Sequence, residues 1–195
     1  MNKQLGFYFD AGRCIQCHAC EIACKAAHEA ELGVKWRRVL NYWQGEYPRV
    51  VNRNFSLSCM HCALPACRDA CPKGAITKRA EDGIVVVDAE ACNGCRQCAD
   101  ACPYGAPQFG QDGTMQKCDL CLGSISDLRQ RGDEPACVAT CPGQALAFGY
   151  METLAKLAAA NSGEKLPGIT QPSFFVTSAD AGLLPRVYVM KFFCR

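Results

Sequence analysis

The chain lacks any apolar run close to the roughly 18 residues that a membrane-spanning helix needs. Its best attempt, GLLPRVYVMKFFC at residues 182–194, is interrupted by Pro185, Arg186 and Lys191. That stretch is too short and too charged to cross a bilayer, so no direct membrane span is expected. Charge of either sign is also in short supply as an excess: 21 Lys and Arg stand against 19 Asp and Glu, leaving a formal +2. A nearly balanced chain is a poor candidate for binding nucleic acid. No G-x-G-x-x-G fingerprint and no other nucleotide motif is present, so nothing marks the chain as an enzyme acting alone. The opening MNKQLGFYFD shows neither an apolar h-region nor a cleavage site, and no secretory signal is expected from it.

What the chain has in abundance is cysteine. All of its 17 cysteines except Cys194 fall into groups of four. The groups are Cys14, Cys17, Cys20 and Cys24; Cys59, Cys62, Cys67 and Cys71; Cys92, Cys95, Cys98 and Cys102; and Cys118, Cys121, Cys137 and Cys141. The first and third read C-x2-C-x2-C-x3-C, the run in which three thiolates grip one iron–sulfur cluster and the fourth reaches a neighbouring one. The second widens one gap and the fourth inserts a long excursion after Cys121, yet both keep the closing C-x3-C and remain usable as three-plus-one sets. Proline follows the last cysteine at Pro72, Pro103 and Pro142 and turns the chain away, with Lys25 standing there in the first group. A disulfide scaffold would require a small secreted protein. Zinc is the stronger rival, because C-x2-C pairs also build zinc sites, although zinc ribbons separate their pairs by a longer loop.

Internal repetition indicates which groups are partners. FYFDAGRC, residues 7–14, and VVVDAEAC, residues 85–92, are one unit twice: a strand, Asp-Ala, two residues and a cysteine. CPKGAIT after Cys71 and CPGQALAF after Cys141 repeat a second unit, a strand leaving the closing cysteine. AIT and IVVVD around the turn-rich KRAEDG read as a hairpin, which joins the second and third groups in one ferredoxin-like unit. Residues 7–10 are then expected to pair with residues 145–148, joining the first group to the fourth. The crossover rule turns this pairing into ligand sets. They are Cys14, Cys17, Cys20 and Cys141; Cys118, Cys121, Cys137 and Cys24; Cys59, Cys62, Cys67 and Cys102; and Cys92, Cys95, Cys98 and Cys71. Pairing by simple adjacency, first group with second and third with fourth, is the competing scheme.

The order of the four groups, the pair His61-Cys62, the CPYGAPQ after the third group and the KCDLC opening the fourth resemble the iron–sulfur subunit of molybdopterin oxidoreductases of the dimethyl sulfoxide reductase type, polysulfide and thiosulfate reductases included. The resemblance covers roughly residues 5–150 and is specific in its combined motif order. It implies an electron-transfer subunit without catalytic residues of its own, carrying four 4Fe-4S clusters because every ligand position is cysteine. The implied partner is a large catalytic subunit with a molybdenum or tungsten bis-pterin, of dimethyl sulfoxide, polysulfide or thiosulfate, formate or aldehyde type. A membrane anchor, a flavin subunit or further copies of this chain are additional candidate partners. A free soluble polyferredoxin and a zinc-binding interaction module are the alternatives. Cytoplasm is the default location, with co-export beside a signal-bearing partner also open.

The expected fold class is α+β: two nested ferredoxin-like units with loop-rich insertions and an extended C-terminal tail. The outer unit takes residues 1–33 and 103–150, the inner unit 54–102. Residues 34–53 form an insertion in which Trp36, Tyr42, Trp43 and Tyr47 interleave with Lys35, Arg37, Arg38, Arg49 and Arg53, a composition that suits a contact with a partner subunit. Residues 151–172 are a helix at Met151 to Ala160 followed by a linker, and residues 173–195 are a tail expected to dock on a partner. A further helical stretch is expected in the long gap of the fourth group, ending at Gly132 in LRQRG. Ile15, Ile22, Met60, Leu64 and Leu120 are expected to keep water from the cysteines, backbone amides of the C-x2-C loops to donate to sulfur, and His18 and His61 to serve packing or turns. His28 carries no signal, and Cys194 is expected to be a plain structural thiol.

Overall fold

Residues 5–9, LGFYF, are apolar at every position, a pattern that suits a strand covered on both faces rather than one. That is where they lie in the computed structural model, which describes residues 4–122 and 134–177. β1 (Leu5–Phe9) is followed by α1 (Ala19–Ala27) and the hairpin strands β2 (Arg38–Gln44) and β3 (Val51–Leu57). Next come α2 (Ala66–Asp69), β4 (Ile76–Lys78), β5 (Val85–Val87), α3 (Gln97–Ala101), β6 (Gln108–Phe109) and β7 (Met115–Gln116). α4 (Ala136–Ala139), β8 (Leu146–Tyr150), α5 (Met151–Ala160), β9 (Gly163–Lys165) and β10 (Phe174–Thr177) complete the described elements. The class is α+β.

A four-stranded sheet runs in the order β8, β1, β10, β9, and three two-stranded ribbons pair β2 with β3, β4 with β5 and β6 with β7. β1 lies antiparallel to β8, with Phe9 opposite Leu146 and Phe7 opposite Phe148, and parallel to β10, with Phe7 opposite Phe174. Successive side chains of a strand point to opposite faces, and both faces are used. Tyr8 and Phe175 pack with Leu154 and Ala158 of α5. Phe7, Phe9, Phe174 and Val176 join Phe55, Leu57, Met60 and the cysteines in the main core.

The repeated Asp-Ala unit has a structural cause. Asp10 Oδ1 accepts the Gly12 and Arg13 N–H groups at 2.9 and 3.3 Å, and Asp88 Oδ1 accepts those of Glu90 and Ala91 at 3.0 and 3.3 Å. Each aspartate thereby closes an Asx turn that hands the strand into the following cysteine loop. The backbone repeats as well: Asp10 N–H donates to Ala145 O and Asp88 N–H to Ala75 O, both at 2.8 Å. The expected hairpin around KRAEDG is β4 and β5, with Ile76 opposite Val87 and Lys78 opposite Val85.

The expected helix at Met151 to Ala160 is α5. Two expectations for the C-terminal third need correction. The supposed linker, residues 161–172, contains β9, and residues 174–177 of the supposed docking tail are β10, in the sheet between β1 and β9. Phe174 and Val176 are completely buried, so the surface these apolar residues require is the chain's own core. The rest of that tail, Cys194 included, and the helical stretch expected to end at Gly132 lie outside the described residues. No described helix is long and apolar enough to cross a membrane.

Because Leu154 is the larger of the two buried residues through which α5 grips the sheet, Leu154→Ala is expected to cost about 2–5 kcal/mol, as large-to-small core changes do. Chemical denaturation of the anaerobically purified protein measures it, and a loss under about 1 kcal/mol would show that α5 does not close this face.

Candidate metal centres

The cysteine loops share an uncommon backbone. The second residue between the cysteines of the first C-x2-C pair in each group has positive φ: Gln16 at 59°, His61 at 40°, Gly94 at 68° and Leu120 at 59°. His18 at 58° and Arg96 at 63° repeat the feature one residue after Cys17 and Cys95, as N-caps of α1 and α3. For an L-residue such a conformation costs about 1–2 kcal/mol, and it persists only where the surroundings over-determine it. Turns of this kind bring successive N–H groups to one side and form a concavity suited to an anionic group, iron–sulfur sites among them.

Three cavities open among these loops. One is lined by Cys14, Cys17, Cys20 and Cys141, with Phe9, Val39 and Leu146. A second is lined by Cys59, Cys62, Cys67 and Cys102, with Met60, Tyr104 and Lys117. The third is lined by Cys71, Cys92, Cys95 and Cys98, with Ile76, Phe109 and Met115. Each therefore combines three cysteines of one stretch with one from another. The remaining four, Cys24, Cys118, Cys121 and Cys137, are all buried. They are close enough to interact: Cys24 and Cys137 oppose the ionisation of Cys118, and Cys137 and Cys121 oppose that of Cys24.

Burial is the leading cause that lifts these thiols, and neighbouring sulfurs add to it. Cys24, Cys62 and Cys67 are pushed up to about 12 and Cys98 to about 11. Cys118, buried, is also pushed well up by the same causes. A metal ligand must be a thiolate, so these sulfurs ionise only when a positive core compensates them, and its binding releases protons. Two sulfurs already accept backbone N–H groups, Cys141 from Ala145 at 3.3 Å and Cys92 from Met115 at 3.4 Å. Both donors lie outside the C-x2-C loops, while inside the first loop burial opposes the ionisation of Cys14 and a hydrogen bond from the Gln16 backbone eases it. Among the described residues no three His, Cys, Asp or Glu side chains are gathered tightly enough for a single metal ion. Four thiols around a cavity, with amides aimed at sulfur and left-handed turns behind them, fit a larger cluster core.

The comparisons with known proteins agree with this chemistry. A family model described as a 4Fe-4S dicluster domain matches residues 50–151, and one described as a 4Fe-4S binding domain matches residues 11–27. The probable anaerobic dimethyl sulfoxide reductase protein YnfG of Escherichia coli is 44% identical over 163 residues, 79% of this chain and 77% of that protein. The B subunit of anaerobic dimethyl sulfoxide reductase from the same organism is 44% identical over 165 residues, 80% of this sequence and 78% of that one. This protein belongs to that iron–sulfur subunit family. The formate dehydrogenase iron–sulfur subunit of Wolinella succinogenes is also similar, 38% identical over 172 residues, covering 78% of this chain and 84% of that one.

Within this iron–sulfur subunit the residues expected to exclude water divide sharply. Met60 and Leu120 are buried at 2% and 0%, whereas Ile15, Ile22 and Leu64 are exposed at 66%, 65% and 53%. Ile22 and Leu64 sit on the outward side of their helix and loop, whereas Ile15, though largely exposed, lines the first cavity beside Cys14, Cys17 and Cys20. His18 is exposed enough to pair with Glu21 Oε2 at 3.2 Å. His61 is completely buried, its Nδ1 accepting the Val85 N–H at 3.0 Å, which places the ring proton on Nε2.

Four functional neighbours carried no recognisable sequence signal of their role. His28 is buried against Trp36, with ring centroids 4.1 Å apart, and its Nε2 lies 3.6 Å from Cys121 Sγ. Burial lowers its pKa, and Asp119 pulls it the other way. Glu21, buried beside Cys20, binds the Val39 N–H and Lys35 Nζ, ties that hold its carboxyl below the usual range although burial alone would raise it. Lys117 is buried with its ammonium on the Val85 and Cys118 carbonyls, and its charge eases the ionisation of Cys67. Arg37 is likewise buried, between β3 and the first cysteine loop. Lys117 at least adjoins a motif cysteine, and that adjacency could have flagged it.

Gly94 is the loop position where both space and φ demand glycine: a Cβ there would meet Gly113 O at 2.7 Å. Gly94→Ala is expected to destabilise the protein by about 1–2 kcal/mol and to lower its iron content after anaerobic gel filtration. Full iron retention with an unchanged melting temperature would refute the need for this turn.

Proposed function

We propose that the chain is the electron-transfer subunit of an oxidoreductase whose catalytic subunit carries a molybdenum or tungsten bis-pterin, and that it has no catalytic residues of its own. The observation that carries the proposal is the lining of three separate cavities by four cysteines each, three from one stretch and one from another. The ligand sets are Cys14, Cys17, Cys20 and Cys141; Cys24, Cys118, Cys121 and Cys137; Cys59, Cys62, Cys67 and Cys102; and Cys71, Cys92, Cys95 and Cys98. Clusters bound there supply one-electron redox chemistry over potentials of about −700 to +450 mV.

The chain's own contribution is position, charge and dryness. Cys20 interacts with Cys137, and Cys118 with Cys59. Cys67 and Cys71 stand at the two ends of the single-turn α2. These neighbours support a row of sets in the order just given. Cys17 and Cys95, one from each terminal set, are the exposed cysteines among those described, and the members of the inner sets are buried or half-buried. A row with open ends and a closed middle lets electrons enter and leave while its centre stays free of solvent. The repeated hydrogen bonds of Asp10 and Asp88, together with the β1–β8 and β4–β5 pairings, support nesting of an inner unit, residues 54–102, within an outer unit of residues 1–33 and 103–150. Trp43 and Tyr47, exposed at 69% and 93% towards the far end of the β2–β3 hairpin, supply the large aromatic contacts that suit a partner interface. The close C-x2-C-x2-C packing of the first and third groups weighs against a zinc module, whose cysteine pairs are separated by a longer loop.

Anaerobic purification with its native partners, followed by iron, sulfide and metal analysis, tests the reading. About sixteen irons per chain are expected, together with a large subunit containing molybdenum or tungsten; zinc would overturn the redox role, and iron on a solitary chain would mean a free polyferredoxin. Cys102→Ala is expected to damage the cluster held by Cys59, Cys62 and Cys67. Electron paramagnetic resonance reads the loss, and damage confined to the fourth cysteine group would overturn the nested scheme.

A further inference from the structure

Arg37 stands immediately before β2 with 1% of its surface exposed. Among the described residues no carboxylate pairs with it. Neutral groups hold its guanidinium instead: Nη1 donates to Ser56 Oγ at 3.0 Å and Ser56 O at 3.4 Å, and Nη2 donates to Ser58 Oγ at 3.0 Å. The guanidinium carbon lies 4.5 Å from the centroid of the Phe7 ring. Its buried Nε has no hydrogen-bond partner among the described residues. Arginine keeps its proton in proteins, and a buried charge without a counter-charge is strongly unfavourable. Such a residue requires an anion beside it.

Sulfur supplies the anion. Cys137, Cys118, Cys20 and Cys24 lie near enough to Arg37 that, once ionised on a metal centre, they favour the guanidinium's charge although burial opposes it. Arg37 in turn eases the ionisation of Cys20, Cys24 and Cys118. One contact is relayed: Ser56 Oγ accepts from Arg37, which leaves its hydroxyl proton for Cys20 Sγ at 3.5 Å. Of these four cysteines, Cys20 belongs to the set completed by Cys141, and the other three belong to the set completed by Cys121.

We propose that Arg37 is the counter-charge shared by the two metal centres of the outer unit, on Cys14, Cys17, Cys20 and Cys141 and on Cys24, Cys118, Cys121 and Cys137, and that it makes both easier to reduce. The inference rests on the cluster reading above. Reduction adds one electron and no bond forms or breaks, so a fixed positive charge stabilises the reduced form more than the oxidised one. Buried, the charge is screened little by salt, and the always-protonated guanidinium keeps it across the working pH range. Its contribution to the potentials is therefore constant over conditions that would alter a surface lysine. Arg37 acts as a positioning and tuning residue, and it binds no substrate.

The test compares wild type with Arg37→Met, Arg37→Lys and Ser56→Ala. Each is purified anaerobically in its complex, assayed for iron and titrated with dithionite under electron paramagnetic resonance. Arg37→Met is expected to keep its iron and to move one or two cluster signals to lower potential. The expected size is at least a tenfold change in the oxidised-to-reduced ratio, which is about 59 mV for one electron. Arg37→Lys is expected to restore most of that shift, and the remaining signals stay in place. Full iron with unmoved midpoints, or an equal shift of every signal, would overturn the proposal while leaving the cluster reading intact. If Arg37→Met loses iron but Arg37→Lys retains it with wild-type midpoints, the charge is required for the centres to form, which supports the proposal. Should both lose iron, Ser56→Ala decides: a lowered midpoint for the signal that Cys20→Ser abolishes supports it, and an unmoved one overturns it. Wild type without iron would defeat the cluster reading and this inference together.

Discussion

Burial and negative charge oppose one another, and the cysteine sets of this chain stand on the unfavourable side of that conflict until a cation joins them. Cys24, Cys62 and Cys67 are pushed up to about 12 by enclosure, with neighbouring sulfurs adding to the effect. Several of the cysteines are part of the main apolar core, packed with Phe9, Phe55, Leu57 and Met60. Removing the positive core would therefore leave protonated thiols and a poorly filled interior, which makes metal binding a part of folding rather than an addition to it. The left-handed residues at Gln16, His61 and Leu120 belong to the same balance. Their backbone cost is tolerated because the turn presents N–H groups where a thiolate-bearing core needs them.

Around that arrangement the rest of the molecule is support. The sheet places β1 directly before the first cysteine loop and β8 directly after Cys141, so one antiparallel pairing draws the two stretches together. α5 closes the far face through Leu154 and Ala158. Glu21, buried beside Cys20, clamps α1 to the start of β2 through the Val39 N–H. The β2–β3 hairpin serves two ends: its base brings Arg37, Ser56 and Ser58 inside, while Trp43 and Tyr47 lie out in solvent.

Legibility in the sequence followed the range of the interaction concerned. The cysteine spacings, the two Asp-Ala units and the hairpin around KRAEDG are short patterns with one local solution, and β1, β8, β4 and β5 form where those patterns indicate. β9 and β10 escaped because Gly163–Lys165 is too short and polar to announce a strand, and because apolar β10 reads equally well as a docking segment until its parallel partner β1 is known. Ile22 and Leu64 were misjudged for a related reason: adjacency to a cysteine says nothing about which side of a turn or helix a side chain occupies. His28 and Arg37 were invisible because their roles arise from contacts across the fold, with Cys121 in one case and Ser56 and Ser58 in the other.

The central position of β1 also bears on how the protein is made. LGFYF is synthesised well before its neighbours β8 and β10, which are among the last described strands. At about 5–20 residues per second the interval is roughly 7–30 s. Throughout it an apolar strand has both hydrogen-bonding edges open, the condition under which strands pair with the wrong chain. Until those late strands arrive, the newly made β1 is a natural client for a chaperone.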